Sequence, residues 1–184
     1  QDIQKAYLAG ELTLSAFIEV LMGTEGLNFG ALPKGLISFH IHEPFVLNAF
    51  QEHLSQVQTL AQGPLHFHFT IQEDFHQAFE KCVTELAALT GHNYQVTYSS
   101  QDINTNAFVF DQHQELVLDA NGNPLRRPAG HGTLLQNLET IQSPYVLVKN
   151  IDNIQHFSQR QPSNANWEFL LGLQIEVRNA LRQF

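Results

Sequence analysis

At 184 residues, 43% hydrophobic and 15% charged, the chain has the length and apolar content of one folded domain, which excludes a disordered segment. Its 18 acidic against 9 basic residues leave a formal charge of -9, a field that repels nucleic acid polymers and anionic membranes but tolerates a single nucleotide. A lone cysteine, Cys82, excludes an intrachain disulfide framework, and with no apolar run of membrane-spanning length and no leader signal the expected compartment is cytoplasmic.

Residues 1–30 read as a helical lead-in. Apolar residues from Ile3 to Leu21 recur at helical spacings, with Thr13 or Ser15 as an N-cap, which predicts two short helices. Gly23 to Gly30 is a loop, and the chain starts at Gln1 rather than Met, so a longer parent protein is expected. Residues 31–184 alternate strand and helix patterns. Leu36–His40 reads as a buried strand, Pro44–Ala61 as a helix, Leu65–Ile71 as a strand, and Asp74–Leu89 as a helix stopped by Gly91. Tyr94–Tyr98 and Ala107–Phe110 look extended. The turn signal Asp119–Pro124 joins Leu116–Leu118 to Leu125–Arg126 as a hairpin. Gly132–Ile141 reads as a helix, Tyr145–Lys149 as a buried strand and Asn166–Phe184 as a closing amphipathic helix. The alternation predicts an α/β fold of three layers, a mostly parallel sheet with helices on both faces and a small antiparallel hairpin. In such a fold ligands sit at the carboxyl ends of the strands.

Three segments carry chemistry. In Leu32-Pro33-Lys34-Gly35-Leu36-Ile37 a lysine ahead of a strand is a point charge suited to a phosphate, although Pro-Lys-Gly also suits an exposed turn. In Arg127-Pro128-Ala129-Gly130-His131-Gly132 the glycines allow close backbone approach by a ligand, or simply a tight turn before a helix. In Lys149-Asn150-Ile151-Asp152-Asn153 a carboxylate and two amides follow a strand, placed for a metal ion or sugar hydroxyl, or acting as turn formers. The pairs His40-x-His42 and His66-x-His68 each put two rings on one strand face. Spacing indicates no third ligand and there is no cysteine pair, so they read as hydrogen-bonded residues rather than a zinc site. Cys82 falls on an apolar helix stripe and reads as a buried hydrophobe.

Together with the strand His66–Thr70 and Gln101 with Thr105, these segments resemble a bacterial family known as domain of unknown function 4301, over roughly residues 28–157. That family in turn resembles the UDP-sugar pyrophosphorylases. The resemblance implies a nucleotidyltransferase-like, Rossmann-like domain that binds a nucleotide or sugar nucleotide. In the intact protein it implies nucleotidyl transfer to a sugar 1-phosphate, and the alternative is a non-catalytic binding or regulatory module. It assigns phosphate binding to Lys34, a magnesium ion and sugar to Asp152 with Asn150 and Asn153, base and sugar contacts to Gly130, His131 and Gly132, and a place near the base to Gln101. It leads to the expectation that Lys34, His131 and Asp152 converge on one cleft. Relatives carry a glycine-rich loop and an arginine upstream that Gln1 to Gly30 lack, and Asn106 stands where an acidic residue is expected.

Overall fold

A computed structural model describes residues 2–60 and 65–183. The lead-in forms α1 (Asp2–Leu8) and α2 (Leu14–Met22). Thr13 separates them as expected: its backbone is extended and its Oγ1 accepts the Ala16 N–H at 3.2 Å. Tyr7 and Phe17 hold the two helices together by stacking at 4.8 Å between centroids.

The next segment departs from the sequence expectation. Lys34–Leu36 is a 3₁₀ turn, and β1 (Ser38–His42) follows it with Phe39 and Ile41 exposed, so Leu36–His40 is not a buried strand. β1 pairs antiparallel with β2 (Phe45–Asn48), with an irregular register between Ser38 and His40. The predicted helix from Pro44 therefore begins only at α3 (Ala49–Val57). Its start is set by a reciprocal cap: Asn48 Oδ1 accepts the Gln51 N–H at 2.8 Å, and Gln51 Oε1 accepts the Asn48 N–H at 3.2 Å. The apolar spacing of Phe45, Ala49 and Phe50 mimics a helix across this boundary. Gln1, Ala61 and Phe184, which the sequence assigns to helices, lie outside the described residues.

β3 (His66–Thr70), α4 (His76–Thr90) and β4 (Gln95–Ser99) form a βαβ unit, its strands parallel and in register from His66↔Gln95 to Thr70↔Ser99. Gly91 ends α4 at φ 71°, its N–H donating to the Ala87 carbonyl at 2.9 Å. The core gathers Leu47, Phe50, Leu54, Phe67, Phe79, Leu86 and Tyr94 from the hairpin, α3 and this unit. Phe50 is its centre, fully buried and 4.5 Å from the Phe69 ring and 4.9 Å from the Phe79 ring. Burying one such ring stabilises by about 1.5–3 kcal/mol.

β5 (Ala107–Phe108) and β6 (Arg126–Arg127) pair antiparallel, and the predicted turn between Asp119 and Pro124 is present. Asp119 Oδ1 accepts the N–H groups of Asn121 and Asn123 at 2.8 and 2.9 Å, and Gly122 takes φ 78°. A 3₁₀ turn at His131–Leu134 leads into α5 (Leu135–Glu139), and the chain closes with α6 (Gln161–Leu181).

The result is a mixed α/β arrangement with three separate two-stranded sheets among the described residues, of which only β3–β4 is parallel. The mostly parallel three-layer sheet expected from the sequence is not formed there, for two physical reasons. The run after Lys34 spends its hydrogen bonds on a hairpin, and Tyr145–Lys149 joins no ladder, leaving Val146, Leu147 and Val148 exposed. α6 starts at Gln161, before the expected Asn166, and Phe169, Leu170, Leu173 and Val177 stay exposed along it, so it does not close over the core. No helix among the described residues is long and apolar enough to cross a membrane.

Candidate functional site

Gly35 seats the Lys34 turn. A Cβ there would lie 3.1 Å from Phe79 Cε1 and 3.4 Å from Ile151 Cγ1, so the bare backbone fits between the first turn of α4 and the loop after Lys149. Lys34 then projects outward, its Nζ 3.1 Å from Asp152 Oδ2. The two residues are 118 apart in the chain, and their side chains remain 72% and 51% exposed. The Lys34 hydrogen bond, joined by a backbone N–H bond and the lysine charge, holds the Asp152 carboxyl below its usual range.

Beneath this rim lies a buried polar face of α3. His53 Nε2 donates to the Ile151 carbonyl at 3.0 Å. Burial, helped by the charge of Lys149, pushes the His53 pKa down to about 4, so at neutral pH the ring is uncharged. Lys149 Nζ donates to Gln56 Oε1 at 3.1 Å and lies 4.1 Å from the Trp167 ring centroid. Its own burial, with Arg160 nearby, lowers its pKa to about 8. Gln56 also donates to Asn164 Oδ1 at 2.8 Å, tying α6 to α3. The loop bearing Asp152 is thus anchored from inside by His53 and by packing on Gly35.

One turn away on α3, Glu52 is completely buried. Its Oε1 meets His40 Nδ1 at 2.8 Å and His42 Nε2 at 2.6 Å, and its Oε2 takes a short ion pair from Arg160. The sequence reading placed His40 and His42 on one strand face but missed Glu52. The Asn48-x-x-Gln51 capping signal was the available clue, because it starts α3 where Glu52 turns back toward β1.

None of the other predicted residues makes a side-chain hydrogen bond to Lys34 or Asp152 among the described residues. Gln101 Nε2 donates to Thr105 Oγ1 at 2.9 Å and to Asn106 Oδ1 at 3.1 Å, so Asn106 serves as an acceptor where an acidic residue was expected. Asn150 and Asn153 are exposed and shape the turn, the Asn153 N–H donating to the Asn150 carbonyl at 3.1 Å. Gly130 and Gly132 face open space within 4 Å among the described residues. His131 between them is exposed, and among the described residues it makes no side-chain hydrogen bond with Lys34 or Asp152. Its segment is instead tied to the carboxyl end of β4 through Asn137 Nδ2, which donates to Ser99 Oγ at 2.8 Å and the Ser100 carbonyl at 2.9 Å. His68 lies in the same network, bonded to Thr97 Oγ1 and Ser99 Oγ. The geometry therefore joins Lys34 to Asp152 directly and attaches the Gly-His-Gly segment to the carboxyl end of β4.

No curated protein and no solved structure matches the chain. A family model does, over residues 1–184, and with the Pro-Lys-Gly turn, the Gly-His-Gly segment and the Asn-Ile-Asp-Asn loop now in place, the chain belongs to the family described as domain of unknown function (DUF4301).

Proposed function

We propose that the Lys34–Asp152 rim binds the phosphates of a nucleotide or sugar nucleotide. One observation carries this reading: a cation and a carboxylate from loops 118 residues apart stand side by side in solvent, above contacts that hold the loops without them. An exposed pair of this kind is screened by solvent and adds little to stability, so neither partner is committed to structure. Lys34 can exchange Asp152 for a phosphate oxygen at little cost, and Asp152 would then be free to help hold a magnesium ion, which would supply further charge neutralisation at the phosphates. Gln101, Gly130, His131 and Gly132 would meet the base and sugar, and Asn150 and Asn153 the sugar hydroxyls.

In the intact protein the corresponding reaction is attack by a sugar 1-phosphate oxygen on the α-phosphorus of a nucleoside triphosphate, with pyrophosphate leaving. Lys34 would neutralise charge in that step and Asp152 would hold the magnesium ion that aligns the phosphates. A second reading, binding without turnover, is favoured by the lack of a glycine-rich loop with arginine in residues 1–30. Thermal unfolding with a panel of nucleoside diphosphate sugars and Mg2+ tests the binding. A ligand at 100 times its Kd adds about 2.7 kcal/mol of stability, and an unmoved midpoint across the panel would refute the proposal. Pyrophosphate release by the whole protein then separates turnover from binding alone.

A further inference from the structure

We infer that His40, His42 and Glu52 form a binding site for a divalent transition-metal ion of the zinc class. The three donor atoms, two imidazole nitrogens and one carboxylate oxygen, all lie within 4.8 Å of one another. Nothing in the Lys34–Asp152 reading requires this site, and it stands on different residues.

The arrangement is built from both elements that flank it. His40 and His42 are two apart on β1, so their rings share a face, and the irregular register next to His40 re-aims that end of the strand. Glu52 rises from α3 to meet them, fully buried while the rings keep 22% and 18% of their side-chain surface exposed. The histidine side of the cluster therefore stays partly exposed to solvent, which gives an ion a way in. Arg160 occupies only the far oxygen of Glu52 and is itself fixed by the Gln155 carbonyl at 3.1 Å and Ser55 Oγ at 3.3 Å. It orients the carboxylate so that one oxygen faces the two rings, the outer support that metal sites use to aim their ligands.

Two imidazoles and one carboxylate suit zinc and its neighbours, whereas magnesium and calcium prefer all-oxygen shells. Bond lengths near 2.1 Å place tetrahedral donors roughly 3.4 Å apart. The rings, at 2.8 and 2.6 Å from Glu52 Oε1, would retreat by roughly 0.6–0.8 Å to admit an ion. Without metal, His40 Nδ1–H and His42 Nε2–H donate to that oxygen. With metal, those nitrogens present lone pairs and each ring proton moves to the opposite nitrogen. A water, or His156, whose ring centroid lies 4.8 Å from that of His42, completes the shell. His156 would leave its bond to the Ile41 carbonyl to do so.

The test is calorimetric titration of Zn2+ into EDTA-stripped protein made without an affinity tag, with imidazole 15N shifts recorded alongside. The site predicts one ion per chain and movement of the His40 and His42 resonances. His42→Gln, which keeps a donor for Glu52, should weaken binding at least about tenfold while its melting temperature stays near wild type, and His66→Gln on the other His-x-His pair should change nothing. Absence of stoichiometric Zn2+ binding by the wild type, unmoved His40 and His42 signals, or wild-type affinity in His42→Gln would each overturn the inference.

Discussion

Gly35 shows how a single backbone position can set a functional contact. Its α-carbon faces Phe79, which is packed on Phe50, so an added methyl group meets a ring that has little freedom to retreat. Two effects compete in Gly35→Ala: lower entropy of the unfolded chain stabilises by about 0.4–1 kcal/mol, and overpacking costs about 1–3 kcal/mol. Overpacking wins because the neighbours are core atoms rather than flexible ends. Urea unfolding should show Gly35→Ala less stable by about 1 kcal/mol, the mid-range overpacking cost of about 2 kcal/mol less an entropy gain of about 0.7 kcal/mol. A stability equal to or above wild type would mean that the turn is not wedged against the core. At this scale the sequence was partly readable. Lys34 and Asp152 stand in glycine- and asparagine-flanked loops, where an exposed charge advertises itself. Glu52 sits among Phe50, Leu54 and Val57, where a glutamate looks like the solvated side of a helix, and its burial is made tolerable by Arg160, 108 residues away, together with His40 and His42.

The elements that sequence made legible are those whose ends carry their own signals. Thr13 starts α2, Gly91 stops α4, and the Asp119–Gly122 turn closes as its residues dictate. α3 was blurred because β2 and α3 share an apolar rhythm, and the cap at Asn48 is what separates them. Asn48→Ala removes the acceptor for the Gln51 N–H and the contact of Asn48 Nδ2 with Cys82 Sγ. It should cost about 1 kcal/mol, measurable by urea unfolding. Asn48→Asp, which keeps the acceptor, should recover most of that loss, whereas equal losses in both would place the effect in the cysteine contact instead. Tyr145–Lys149 shows the opposite limit. Its composition is that of a buried strand, yet strand formation needs a neighbour with free N–H and C=O groups, and among the described residues none pairs with it.

At the scale of the whole molecule, α3 is the element on which both clusters depend. Its Glu52 faces the histidines of β1, while His53 and Gln56 hold the loop that carries Lys149 and Asp152. The core is packed around Phe50, with Leu36 and Ile151 against it, so the packed part of the fold is the part that supports the Lys34–Asp152 rim, while Val146–Val148 and much of α6 stay exposed. The mixed α/β character followed from alternating periodicities, but the sheet order did not, because pairing is decided by contacts between residues far apart in the chain. The same applies to the rim. Each of its two residues could be named from its loop, and the packing of Gly35 on Ile151, with the His53 bond to the Ile151 carbonyl, brings them together. The most direct test is calorimetric titration of a uridine diphosphate sugar with Mg2+ into wild type, Lys34→Ala and Asp152→Asn. Saturable binding that weakens at least about tenfold in Lys34→Ala, with folding unchanged in both variants, is the predicted result. Equal affinity in wild type and Lys34→Ala would contradict the assignment of this rim to phosphate.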